Sequence, residues 1–163
     1  SLAGAAILVV IDQLIKHWAT AALLPVGSMD VLPGIVELRY CLNDGMAFSM
    51  LAGKQGLLIG MTSVMLLAVL IMLFVRKMPL AERAAWTLVL GGGVGNIIDR
   101  IAHGYVVDMF DLLLFDYPVF NLADCFVVVG VILGAVYYLW FYDKYDKRSG
   151  KEPGDDTAAD SHK

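Results

Sequence analysis

The stretch LLIGMTSVMLLAVLIMLFV, Leu57–Val75, contains no charged side chain. A run this long and this apolar has no place on the surface of a water-soluble domain. A helix needs about 20 mainly apolar residues to cross the hydrocarbon core of a bilayer, and this run meets that need. Composition agrees: 59% of the 163 residues are hydrophobic and 17% are charged. A soluble domain is about half apolar and about a quarter charged. The chain therefore reads as an integral membrane protein. A net charge of −4, with no basic face, argues against a nucleic-acid partner.

Three more segments have the length and apolarity of a span. Leu2–Leu24 ends at Pro25 and is interrupted by Asp12, Lys16 and His17; Ala84–Ile101 is polar only at its far end; Ala123–Tyr142 has an acid only at its start. The run Leu2–Val10 is short for the core of a cleavable signal and no small-residue cleavage site follows, so it is read as a retained helix. Residues 26–55 differ. In IVELRYCLN, Val36, Leu38, Tyr40 and Leu42 alternate with Glu37, Arg39 and Cys41, which is the period of a half-buried strand, and Pro33-Gly34 marks a turn before it. The predicted fold is an all-α membrane protein: four transmembrane helices with a small extracytoplasmic β element, spanning residues 1–148. The tail Ser149–Lys163 lacks aromatic and large aliphatic residues and is expected to be disordered.

Lysine and arginine set the orientation. Arg76, Lys77 and Arg83 lie between the second and third helices, and Lys144, Lys147, Arg148 and Lys151 follow the fourth. Both termini are therefore expected in the cytoplasm. The stretch YVVDMFDLLLFDYPVFNLAD, Tyr105–Asp124, then lies at the outer face with four acids, Asp108, Asp111, Asp116 and Asp124.

Other polar residues are predicted to gather at that level. Asp12 and Lys16 stand four apart on the first helix, acid first, the favourable order for a helical pair. Asn96 and Asp99 share a face of the third helix beside Arg100, and Asn43 and Asp44 arrive from the β segment. Ionisable groups at membrane depth usually face a bundle interior and mark function. Each also has a structural reading. Asp124 or Asn121 is a candidate helix cap, Asp108 can pair with Arg100, Asp99 can be neutralised by Arg100 or another cation, and Asp111 and Asp116 read as interfacial acids facing water. Gly91 and Gly95 form a small-xxx-small face, best read as helix packing. Cys41 and Cys125 are too few for a disulfide framework and read as small buried hydrophobes. The three histidines, His17, His103 and His162, show no zinc spacing with them, and no serine stands in a nucleophile-elbow context. Two other functions remain open on the residues alone. A channel or transporter would use the acids as ion sites, although the uncharged second helix offers no polar path, and a structural assembly subunit would tolerate loss of any acid.

Five motifs in order carry a resemblance: DQLIK at Asp12–Lys16, NDGMAFS at Asn43–Ser49, GGGVGNIIDR at Gly91–Arg100, GYVVDM at Gly104–Met109 and FNLAD at Phe120–Asp124. Together the set resembles the lipoprotein signal peptidase (bacterial signal peptidase type II) family, over about residues 12–142. The resemblance implies an intramembrane aspartyl endopeptidase of the bacterial inner membrane. Such an enzyme removes the signal peptide of a prolipoprotein just before its diacylglyceryl-modified cysteine. It maps the catalytic pair onto Asp108 and Asp124, and supporting or binding roles onto Asp12, Lys16, Asn43, Gly45, Asn96, Asp99, Arg100, Asn121 and Ala123. No metal and no cofactor are implied. The expected partners are lipidated prolipoprotein, membrane lipid and globomycin-type inhibitors, with the protein a monomer. Asp44 departs from the threonine common at that place in the family. Met46 and Phe48 are expected to clamp the substrate from above.

Overall fold

The computed structural model describes residues 2–45 and 50–140. Met46, Phe48, the last two residues of the predicted fourth helix and the predicted tail at 149–163 lie outside them. Four helices and a three-stranded sheet follow in the order α1 (Leu2–Leu23), β1 (Ser28–Leu32), β2 (Val36–Asn43), α2 (Gln55–Val75), α3 (Leu80–His103), β3 (Val106–Leu112) and α4 (Leu122–Trp140). Three of the helices, α1, α2 and α4, are long and apolar enough to cross a membrane. The fourth expected span, α3, is not among them: Glu82, Arg83, Asp99 and Arg100 fall within its length.

Packing explains that charge load. α3 touches each of the other three helices, and its glycines make the contacts. A β-carbon on Gly91 would meet the Leu8 side chain of α1, one on Gly93 the Leu66 side chain of α2, and one on Gly92 the Ala123 carbonyl oxygen of α4. One on Gly95 would stand 2.5 Å from Asp12 Oδ2 of α1. The predicted Gly91–Gly95 face thus packs on α1, and the neighbouring glycines serve the other two helices. Close approach without side chains is how small residues drive helix association in lipid. By contrast α2 buries only Leu58, Leu66 and Leu73, of which Leu66 and Leu73 enter the contact with α1 and α3 around Ala5 and Leu90. Met61, Val64, Met65, Leu67 and Ile71 on its other faces are exposed.

The β element forms as expected and extends further than expected. β1 and β2 make an antiparallel hairpin. Its turn is closed by Ile35 N–H donating to Leu32 O, with Gly34 at φ 73°, the Pro-Gly arrangement of a type II turn. The sequence showed no strand after α3, yet β3 pairs with β2. The alternation predicted for β2 is also interrupted. Leu38 faces Phe110 but Cys41 faces Asp108, so Arg39 and Tyr40 together stand opposite Met109. This is a β-bulge, which shifts the residues beyond it onto the other face. As a result Leu38 and Tyr40 pack with Ala19, Leu23, Val107 and Met109, Leu42 is exposed, and Asn43 turns toward Asp108. The sheet thereby rests on the last turns of α1.

Candidate active site

Two backbone devices bring the motifs of distant segments into one place. The chain after β3 returns onto that strand: Met109 and Phe110 N–H groups both donate to Phe120 O, and Phe120 N–H donates back to Phe110 O. This bridge sets Asn121, the residue after Phe120, beside Asp108. The start of α4 is then locked by a capping box. Asn121 Oδ1 accepts from Asp124 N–H at 3.0 Å, and Asp124 Oδ2 accepts from Asn121 N–H at 3.2 Å. Reciprocal capping of this kind satisfies two of the orphan donors at a helix start. Both capping readings made from the sequence therefore hold at once. A further orphan donor, Ala123 N–H, reaches Asp12 Oδ1 of α1 at 3.1 Å.

From this frame the side chains form one continuous network. Asp108 is buried; its Oδ1 accepts from Asn121 Nδ2 at 2.6 Å and its Oδ2 from Asn43 Nδ2 at 2.9 Å. Asp124 is half-buried, and its Oδ1 accepts from Asn96 Nδ2 at 2.8 Å. Asn96 Oδ1 accepts from Asn121 Nδ2 at 3.2 Å and from Lys16 Nζ at 2.9 Å. Two carboxylates are thus linked through two amides, and one amide is tied to a buried cation. That cation is shared: Lys16 Nζ lies 2.9 Å from both Asp12 Oδ2 and Asp99 Oδ2. Buried charge is tolerable only when paired and hydrogen-bonded, and this triad meets both conditions. The partner that neutralises Asp99 is Lys16, not Arg100, and Asp108 is held by two asparagines and not by an arginine.

Asn43 and Arg100 hold the mouth of the site. Asn43 Oδ1 accepts from Gly45 N–H at 2.9 Å, and Arg100 Nη2 donates to Gly45 O at 3.0 Å. Arg100 Nε is buried without a hydrogen-bond partner among the described residues. All eleven residues marked out by the sequence therefore converge. One participant was not singled out. Gln13 Nε2 donates to Asp99 Oδ1 at 2.9 Å and to Gly95 O at 3.3 Å. The available signal was an uncharged polar residue beside Asp12, within the DQLIK run of the first helix.

The outer acids correct one expectation. Asp116 is exposed as predicted, but Asp111 does not face water: it is 5% exposed and lies 2.6 Å from Arg39 Nη2. Its strand position, unseen in the sequence, aims it across the sheet at β2.

Electrostatics separate Asp108 from the thiol opposite it. Burial pushes the Asp108 carboxyl up to about 6; the Asn121 and Asn43 hydrogen bonds oppose this, and the nearby Asp124 charge adds to it. A raised carboxyl beside a second one is the arrangement in which a pair retains a single proton. Cys41 is free and directly opposite Asp108 in the sheet. Burial, then the Asp108 charge, pushes its thiol up, away from the thiolate a nucleophile needs.

Comparison with known proteins converges on one family. The family model described as signal peptidase (SPase) II matches residues 4–140. A lipoprotein signal peptidase of Moorella thermoacetica is 40% identical over 132 residues, 79% of this chain and 85% of that protein. Another, from Clostridioides difficile strain 630, is 36% identical over 138 residues, 85% and 93% of the two chains. A bacterial membrane enzyme solved by the in meso method at 2.3 Å resolution superposes with TM-score 0.78 at 30% identity, covering 94% of this chain and 92% of that one. With its length matched almost throughout and its network of acids and amides assembled, this chain belongs to the signal peptidase II family.

Proposed function

We propose that this protein is an intramembrane aspartyl endopeptidase. Its reaction removes the signal peptide from diacylglyceryl-modified prolipoproteins, cutting before the lipidated cysteine. The observation that carries the reading is the pairing of Asp108 and Asp124 through Asn121 and Asn96, with Asp108 raised to about 6. Family membership and the names of the relatives support the substrate class.

In the proposed mechanism the pair holds one proton. That proton is assigned to Asp108, the more deeply buried and the one whose carboxyl is raised, and half-buried Asp124 is given the role of base. Asp124 takes a proton from a water as the water oxygen attacks the scissile carbonyl carbon. The Asp108 proton hydrogen-bonds the carbonyl oxygen as it gains charge, and the proton held on Asp124 passes to the leaving amine when the C–N bond breaks. Such positioned acid–base steps contribute about 10²–10⁴-fold each. Arg100 Nε is a donor suited to a substrate carbonyl. Lys16, held between Asp12 and Asp99, fixes Asn96 and through it Asp124.

The reading includes the membrane placement. α3, shielded by α1, α2 and α4, is the fourth span; both termini are cytoplasmic, and the site lies near the outer face of the bacterial inner membrane. Residues 1–148 act as one monomeric domain, with 149–163 a cytoplasmic tail. Globomycin-type cyclic peptides inhibit it.

The test is cleavage of a diacylglyceryl-modified prolipoprotein by purified wild type beside Asp108→Asn, Asp124→Asn, Asp111→Asn and Asp116→Asn, each checked for folding. Loss in the first two alone supports the pair. Equal cutting by all five removes the pair, and a wild type that never cuts a lipidated substrate removes the peptidase reading.

A further inference from the structure

The opposite end of the bundle, where α2 ends and α3 begins, holds a cavity of about 370 Å³. Its polar wall is Arg76, Lys77 and Arg83, and its apolar wall includes Leu2, Phe74 and Val75. Nothing in the proteolytic reading uses it.

The charges there are unusual for their positions. Arg83 is half-buried at the end of the first turn of α3, where the helix dipole favours acids over cations. The only acid in that turn is Glu82, and it is already committed. It is 2% exposed, accepts from the Tyr138 hydroxyl at 2.7 Å and lies 3.5 Å from Arg76 Nη1. Among the described residues no acidic partner stands within ion-pair distance of Lys77 or Arg83. A membrane-orientation role accounts for the sign of these residues. It does not account for their convergence on a cavity with an aliphatic and aromatic wall.

We propose that this cavity binds the phosphate headgroup of an anionic phospholipid in the leaflet opposite the carboxylate site. Lys77 and Arg83 supply charge to the phosphodiester, Arg76 borders it while held by Glu82 and Tyr138, and Phe74 and Val75 lie along the acyl chains. Basic pockets between helices at a membrane surface recognise anionic headgroups in this way. The volume falls in the range of small-ligand sites, about 300–1,000 Å³. The proposal rests on the membrane placement of the helices and is independent of the cleavage chemistry.

The experiment is native mass spectrometry of the purified full chain, titrated with phosphatidylglycerol or with phosphatidylcholine of the same acyl chains. Wild type is expected to retain phosphatidylglycerol in preference. Each cation removed lowers that preference roughly five-fold, so Lys77→Gln shows a single step and Lys77→Gln with Arg83→Gln roughly two. Cleavage activity in detergent stays unchanged in both. Equal retention of the two lipids by wild type overturns the proposal. So does an unchanged preference in Lys77→Gln, an exposed position whose replacement does not threaten folding. Millimolar inorganic phosphate should fail to displace the lipid; displacement would mark a free-phosphate pocket and overturn the lipid assignment.

Discussion

The two ends of the helix bundle treat charge in opposite ways. At the carboxylate end Lys16, Asp12, Asp99, Asn96, Asn121, Asp108 and Asp124 satisfy one another in a single network. At the other end Lys77 and Arg83 line a cavity with no acid within ion-pair distance among the described residues, while Arg76 is engaged with Glu82 and Tyr138. The difference teaches what buried charge is for. Internal pairing makes a rigid site whose members depend on each other, whereas open cations leave the neighbouring fold nearly indifferent to their loss.

Breaking the carboxylate end is expected to have the largest effects. Asp108→Asn or Asp124→Asn should each lower prolipoprotein cleavage roughly 10³-fold, with helicity unchanged by circular dichroism. Lys16→Met should come next. It strands Asp12 and Asp99, both nearly fully buried, and removal of one partner from such a pair costs about 3–5 kcal/mol, readable as a lower unfolding temperature in detergent. Arg83→Gln at the other end should stay within about 0.5 kcal/mol; comparable losses in the two variants would erase the contrast. Gly92→Ala should destabilise by about 1–3 kcal/mol, because its β-carbon collides with the Ala123 carbonyl at the α3–α4 contact.

A titration sharpens the same comparison. Asp108 is raised from 3.8 to about 6, so between those values the folded protein keeps a proton that the unfolded chain has released. Stability from this group is therefore full below 3.8 and falls as pH rises toward 6. In the proposed mechanism the shared proton is lost over the same limb, so kcat/KM should decline above pH of about 6. Asp124→Asn removes a like charge and should lower the Asp108 value, measurable by carboxyl carbon NMR; an unmoved titration would uncouple the two acids. A small effect is also expected of Asp111→Asn. Its partner Arg39 has a side chain 51% exposed, so solvent screening holds the loss to at most about 1 kcal/mol, and cleavage should persist.

What the sequence by itself determined was local. The lengths of α1, α2 and α4 follow from long, mainly apolar runs, the β1–β2 turn from Pro33-Gly34, and the capping of α4 from Asn121 and Asp124, because each of these depends on neighbours within a few residues. The motif order was enough to bring eleven site residues together as a set. Tertiary structure decided the rest. Lys16 meets Asn96 and Asp99 across eighty residues of chain or more, and Asp12 caps a helix that begins far beyond it; no periodicity encodes such pairings. β3 was hidden because a strand buried on both faces lacks alternation, and with it the burial of Asp111. The bulge that sets Arg39 and Tyr40 opposite Met109 reversed the face of β2 beyond it, and it exists only where β3 pairs with β2. The charges of α3 were legible, but their shelter was not. It comes from glycines that admit three helices at once, and that contact exists only after the chain has folded.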